Sequence, residues 1–286
     1  MKPPEEPDLP RESPRNVLFQ FVVFPLGIVV IGVAIFLLFG KLASEEHAIP
    51  DYLNDIRSGS SHERWQAAYQ LSKSLKRGEA KRYPNLEQQV ASIYVSAKHD
   101  DPRIRRYLSM VLGNLGDRRA TALLIDALHE QDVETRIYAL LALGELRDPA
   151  AVPAMMAAAA DEEKDVRKTA LYTLGAIGDP RAVPLMVQAL EDPVPDVRFN
   201  AAVALSRFGD KRAIGVLREM MDRDRLSRVP GMREDQKEEA MIVAMSAYSH
   251  LAGSDAAVDL EKLTHDPSLR VQEAAREALQ SLRAKS

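Results

Sequence analysis

Six histidines, no cysteine and an evenly repeated set of arginines and aspartates are the side chains whose chemistry must be weighed first. His47, His62, His99, His129, His250 and His265 are scattered. No two fall at the i, i+3 or i, i+4 spacing that puts two metal ligands on one helix face. The absence of cysteine removes disulfides, thiol nucleophiles, lipidated cysteines and Cys-ligated zinc or iron–sulfur sites. No phosphate-binding Walker loop, dinucleotide glycine fingerprint or Gly-x-Ser-x-Gly elbow occurs either. The expectation is therefore a chain with no catalytic, cofactor-binding or metal-binding residues.

The repeated residues point to architecture. Arg105, Arg136, Arg167 and Arg198 are each 31 residues apart, as are Gly113, Gly144 and Gly175, and as are Asp117, Asp148, Asp179 and Asp210. Catalysis needs one asymmetric arrangement, so a set copied at a fixed interval reads as structural. Two apolar stretches lie between these points in each repeat, for example 182–190 and 197–205, with apolar residues three and four apart. That spacing predicts two amphipathic helices per repeat. Asp148-Pro149 and Asp179-Pro180 place a helix-capping acceptor just before a first-turn proline. Gly116, Gly178 and Gly209 stand where the preceding helix needs a left-handed residue, and Arg147 occupies the matching position, where it should carry strain or a different cap. Period-two alternation is absent, so no strands are expected.

At these residues the chain resembles the HEAT-like repeat family, in the short form found in phycobilisome lyases. The phrase Asp-Val-Arg-x-x-Ala followed by Ala-Leu-Gly-x-Ile-Gly-Asp-Pro, read from Asp165 to Pro180, carries the resemblance. It extends over residues 50–286 and implies an all-α, right-handed α-solenoid of about seven helix pairs: 50–77, 84–116, 117–147, 148–178, 179–209, 210–253 and 254–286. The first and last pairs are degenerate, as solenoid caps should be. The resemblance also implies that Arg105, Arg136, Arg167 and Arg198 form a ladder with Asp117, Asp148, Asp179 and Asp210, each guanidinium matched by a carboxylate. One HEAT-like family carries a di-iron centre on four His-Glu pairs. This chain has two, His62-Glu63 and His129-Glu130, at different repeat positions, which argues against that chemistry. A bilin-lyase-like enzyme or chaperone acting on a protein-bound cofactor remains the alternative to a non-enzymatic scaffold.

Second helices of such pairs are expected to line an inner wall, with the positions one and five after the repeat arginine turned away from the core. Counted from Arg64, these slots hold Trp65 and Tyr69; then Arg106 and Met110, Ile137 and Leu141, Lys168 and Tyr172, Phe199 and Val203. The apolar ones, Trp65, Tyr69, Met110, Ile137, Leu141, Tyr172, Phe199 and Val203, form a candidate partner-binding stripe. Tight curvature, burying them between neighbouring second helices, is the other reading. An insertion between Asp222 and Glu239 breaks the rhythm by about a dozen residues, with Pro230-Gly231 as a turn signal. It is either a contact loop or a solvated one.

The remaining 49 residues differ sharply. Residues 1–16 hold five of the 17 prolines and read as a disordered tail. From Val17 to Phe39 run 23 residues without a charge, roughly 35 Å as a helix against a hydrocarbon core of about 30 Å. A cleaved signal peptide has a shorter apolar stretch. Residues 17–40 are therefore expected to be a retained transmembrane helix, and 41–49 a linker. Lys2, Arg11 and Arg15 precede it and Lys41 alone follows closely, which favours a cytoplasmic N-terminus and an extracytoplasmic solenoid. Thirty-eight basic against 42 acidic residues, a net charge of -4, argue against nucleic acid as partner. The reading is a single-pass scaffold or adaptor in a bacterial inner membrane, serving as accessory subunit of a membrane protein complex. Its partners would be a protein and, through 17–40, the bilayer.

Overall fold

The computed structural model describes Leu26 and residues 29–35, 48–75 and 82–285. The chain divides at Ala48 into two units, of which the second holds the repeats. In the first unit Leu26 and residues 29–35 are helical, and all of these side chains are exposed. The rest of the expected span at 17–40, the tail at 1–16 and nearly all of the linker lie outside the described residues. Among the described residues no helix is long and apolar enough to cross a membrane.

The second unit is entirely helical among its described residues. Its helices are α1 Ile49–Ser58, α2 Ser61–Ser74, α3 Leu86–Ser96, α4 Pro102–Leu115, α5 Thr121–Ala127, α6 Val133–Leu146, α7 Val152–Ala158 and α8 Lys164–Ile177. They continue as α9 Val183–Ala189, α10 Pro195–Arg207, α11 Ile214–Met221, α12 Arg223–Leu226, α13 Glu234–Ala252, α14 Ala257–Leu263 and α15 Leu269–Lys285. The pairs are α1/α2, α3/α4, α5/α6, α7/α8, α9/α10, α11/α13 and α14/α15, which makes an α-solenoid. Second helices pack in chain order, α2 on α4, α4 on α6 and so on to α15, and form one continuous wall. Leu108, Leu140, Leu171 and Leu205 are fully buried between the layers.

Local chemistry explains each boundary. Asp117, Asp148, Asp179 and Asp210 accept the backbone N–H two residues on, from Arg119, Ala150, Arg181 and Arg212, and so open the short 3-10 turn before each first helix. Gly116, Gly178 and Gly209 close the preceding second helices at φ of 74°, 78° and 71°. Arg147 is held at φ 48°, the left-handed conformation that glycine adopts at the matching sites.

The glycine row has a separate cause. A Cβ at Gly113 would stand 2.9 Å from Ala142 Cα, one at Gly144 3.1 Å from Thr173 Cγ2, and one at Gly175 2.7 Å from Ala204 Cβ. Each glycine is thus the contact point between successive second helices, α4/α6, α6/α8 and α8/α10. One repeat further on the chain has Ser206, buried, with its hydroxyl donated to the Val203 carbonyl at 2.8 Å. There the close seam ends, and α13 packs chiefly on its own partner α11.

The arginine ladder exists, with different partners from those expected. Arg136 reaches Asp161 at 3.1 Å, Arg167 reaches Asp192 at 3.0 Å and Arg198 reaches Glu219 at 2.7 Å, while Arg105 pairs with Glu130. Each of the first three also donates to carbonyls of its own inter-helix turn: Arg136 to Glu130 at 2.7 Å, Arg167 to Asp161 at 2.9 Å, Arg198 to Asp192 at 2.9 Å. Arg136 and Arg167 therefore stitch their own turns to the next repeat's turn, and Arg198 stitches its turn to α11. Asp117, Asp148, Asp179 and Asp210 are corrected to turn-capping residues. They lie twelve residues beyond the arginine, at the far end of the second helix, roughly 18 Å away.

Candidate protein-docking groove

Where the glycine seam ends, the second-helix wall opens. An elongated groove of about 500 Å³ lies between α8, α10 and α13. Tyr172 from α8, Phe199 and Val203 from α10, and Ala240 and Val243 from α13 line its apolar part, with Met220 from α11 and Met232 from the insertion. Tyr172 is 50% exposed and Val243 36%. Phe199 is only 5% exposed, so it forms floor and core together. The groove brings three residues of the predicted stripe, Tyr172, Phe199 and Val203, together with the insertion.

The insertion is structured. Asp222 caps α12, accepting from the backbone N–H groups of Asp224 and Arg225, and Leu226 is fully buried. Arg223 bonds Asp266 at 2.6 Å and also pairs with Glu234. These contacts fix the segment against the last repeat and set Met232 and Gln236 along the groove. Chain added between α11 and α13 thereby supplies one wall.

The rest of the stripe lies elsewhere on the wall. Trp65, Tyr69, Met110, Ile137 and Leu141 are half-buried and do not line the groove. Trp65 meets His62 edge-on at 5.3 Å and carries the Arg103 guanidinium 4.3 Å from its ring. Tyr69 packs on Tyr107 at 5.0 Å, and Tyr107 on Tyr138 at 5.9 Å. Side chains of α4 thus cover Trp65 and Tyr69 of α2.

Charge divides in the same way. Among the arginine pairs, Arg105 is nearly fully buried, stacked 4.1 Å from the Tyr94 ring, and burial pushes both the Tyr94 phenol and the Glu130 carboxyl up. Asp132 is pushed up by burial but more strongly down by bonds from Arg106, the Thr135 hydroxyl and the Thr135 N–H, which hold it at about 2. In the groove, Lys168 is matched by Asp165 at 2.5 Å and Glu239 by Arg270 at 3.5 Å. Asp196 and Arg207, at opposite ends of α10, have no ion pair among the described residues. Arg207 touches the Tyr172 ring alone, at 5.8 Å. Among the described residues no group of three or more His, Asp or Glu side chains has the arrangement of a metal site.

Met220, Met232, Gln236, Ala240 and Val243 were not anticipated from the sequence. Two signals could have found them: the loss of the 31-residue rhythm after Asp222, and serine at 206 where the glycine row calls for glycine.

The HEAT-repeat family profile matches residues 90–170 and 156–232, which together span half of the chain. The chain belongs to the HEAT-repeat family. No protein of curated function matches the sequence. Among solved structures, this HEAT-repeat chain is similar to the complex of CpcE and CpcF of phycocyanin lyase from Nostoc sp. PCC7120. The identity is 22%, the TM-score 0.52, and 84% of this chain and 96% of that one are covered. It is also similar to the YIBA protein of E. coli, with 14% identity, a TM-score of 0.55, and 84% and 83% of the two chains covered. At these identities the likeness is one of fold.

Proposed function

We propose that this HEAT-repeat chain is a scaffold or adaptor, anchored by residues 17–40 in a bacterial inner membrane, that holds another protein in the groove between α8, α10 and α13. The observation that carries the reading is the groove itself: an apolar surface with exposed Tyr172 and Val243, on a wall whose earlier repeats pack Tyr69, Tyr107 and Tyr138 on one another. The half-buried Met232 suits such a surface, since an unbranched thioether side chain adapts to a partner's shape. The 17–40 run, uncharged before Lys41, supports the anchor, as do the exposed apolar side chains of residues 29–35. The basic residues before it support a cytoplasmic N-terminus with the repeats on the other side. The ladder arginines and capping aspartates are all engaged in structural bonds, which favours scaffold over enzyme. A bilin-lyase-like enzyme or chaperone is the alternative, and its support is a likeness of fold.

Site-specific photocrosslinking in membranes tests the docking surface. A benzoylphenylalanine at 172 or 243 should capture the same protein, and one at the exposed Val258 should not. Tyr172→Ala combined with Val243→Glu should abolish that crosslink from position 239 while circular dichroism stays unchanged. Equal capture from 258, or persistence in the double variant, would remove the groove from the function. Because the chain has no cysteine, a single Ser286→Cys reports topology cleanly. An impermeant maleimide should label it in intact spheroplasts; protection would reverse the orientation. Addition of a bilin should leave its absorption unchanged, and a defined new band would favour the lyase reading.

A further inference from the structure

The groove's unmatched charges carry information about what lies in it. Asp196 stands in the first turn of α10 and Arg207 in its last, eleven residues or roughly 16 Å apart along the axis. Both line the groove, and neither is paired with an opposite charge among the described residues. The other two charges at the rim, Lys168 and Glu239, are already neutralised by Asp165 and Arg270. What remains is an apolar floor with one free negative end and one free positive end.

An extended peptide fits this surface poorly. Its backbone N–H and C=O groups would find only two amides along the groove, Asn200, which already donates to the Asp196 carbonyl at 2.8 Å, and Gln236, which already accepts from the Arg233 N–H at 3.0 Å, and most would be left unpaired over Tyr172, Phe199, Val203, Ala240 and Val243. An α-helix satisfies its own backbone and can lay an apolar face there, with anchors at i, i+4 and i+7. Helices favour acidic residues in the first turn and basic residues in the last. Such a helix meets Arg207 with its first turn and Asp196 with its last only when it runs antiparallel to α10.

We infer that the groove takes an amphipathic helix of about three turns from a partner protein, acidic at its start and basic at its end, bound antiparallel to α10. This inference rests on the scaffold reading above and adds the chemistry and direction of the partner segment.

The test uses the full chain in detergent micelles and two synthetic helical peptides of identical composition. Both carry leucines at i, i+4 and i+7; one has two glutamates in its first turn and two lysines in its last, the other the reverse. Identical composition matches the peptides in charge and hydropathy, and because the acidic-first order also favours the helix itself, inversion of the preference in a charge-reversed chain is what reports the groove. In fluorescence anisotropy at low ionic strength the first peptide should bind roughly ten-fold tighter, the gap narrowing as salt is added. In the double variant Asp196→Lys with Arg207→Glu the preference should invert. The reversal breaks no ion pair but gives up the Arg207 contact with Tyr172 and the favourable charges at the two ends of α10, so circular dichroism and thermal melting verify the fold. Equal binding of both peptides, or a preference that does not invert, would overturn the inference. So would a dimer of the chain that charge reversal dissociates, since it would give the groove to a second copy. Loss of the 239 crosslink on Tyr172→Ala with Val243→Glu, alongside indifference to peptide polarity, would sink the helix assignment and leave the scaffold reading standing. Persistence of the crosslink would sink both.

Discussion

Gly175→Ala is a substitution for which two physical effects pull in opposite directions, and the structure decides between them. Alanine has the higher helix propensity, and in the interior of α8 the change gains up to ~1 kcal/mol on that ground. The added Cβ, however, would lie 2.7 Å from Ala204 Cβ and 3.0 Å from Ala204 Cα. Carbon atoms pack best at about 3.5–4.0 Å, so α8 and α10 would have to part by something near 1 Å, and overpacking of that kind costs about 1–3 kcal/mol. Gly215 in α11 is the control, because a Cβ there meets nothing within 4 Å and only the propensity gain remains. The two alanine variants should therefore differ by about 1–3 kcal/mol. At about 2–4 °C per kcal/mol for a unit of this size, their thermal midpoints should separate by ~2–12 °C, with Gly175→Ala the lower. Adding Ala204→Gly to Gly175→Ala returns the displaced methyl volume and should recover much of the loss, which a double-mutant cycle reads as coupling. If Gly175→Ala melts with Gly215→Ala or above it, the argument that the glycine row sets helix contact is refuted.

Asp132, held at about 2 against an ordinary 3.8, stabilises the folded chain by ~2 kcal/mol above about pH 4, and this contribution disappears as pH falls through about 2. Asp132→Asn, which keeps a capping side chain but loses the charge on Arg106, should cost that amount in urea unfolding at pH 7 and nothing near pH 2. Arg167→Ala leaves Asp192 with only the Val194 N–H and two turn carbonyls without their guanidinium donor in a partly buried site, so urea titration should show a loss of ~1–3 kcal/mol with helicity preserved. Arg147→Gly relieves a left-handed arginine worth ~1–2 kcal/mol, of which the freer unfolded chain takes back ~0.4–1; calorimetry should show a net rise of about 0.5–1 kcal/mol.

The helix pairs were legible because a 31-residue period exposes them even where single stretches are ambiguous. Arg147 shows how far this goes: its mismatch with Gly116 and Gly178 announced a left-handed arginine, and the backbone has one. The ladder was half legible. Arginine recurs at a fixed register, but its partner alternates between glutamate and aspartate and shifts by four residues at Glu219, so no repeated residue marks it. Gly113, Gly144 and Gly175 were visible as a row without a reason, since a contact between helices is not encoded in either helix alone. The stripe mixed two environments. Tyr69 packs on Tyr107, while Tyr172 stays half exposed at the groove although α8 is in close contact with both of its neighbours, and no pattern within one repeat distinguishes the two slots. The groove's second wall was illegible, because the insertion that builds it departs from the repeat.

The replacement of glycine by Ser206 has a mechanical consequence. Three zipped seams bind α4, α6, α8 and α10 into one stiff plate, in which bending would compress backbone against backbone. The fourth seam has no such stop, so flexing between residues 102–207 and 214–285 meets least opposition there. Groove width is then the coordinate of that flexing. A body wedged between α10 and α13 sets the angle of the two plates, and a force applied to either plate alters the fit of the wedge.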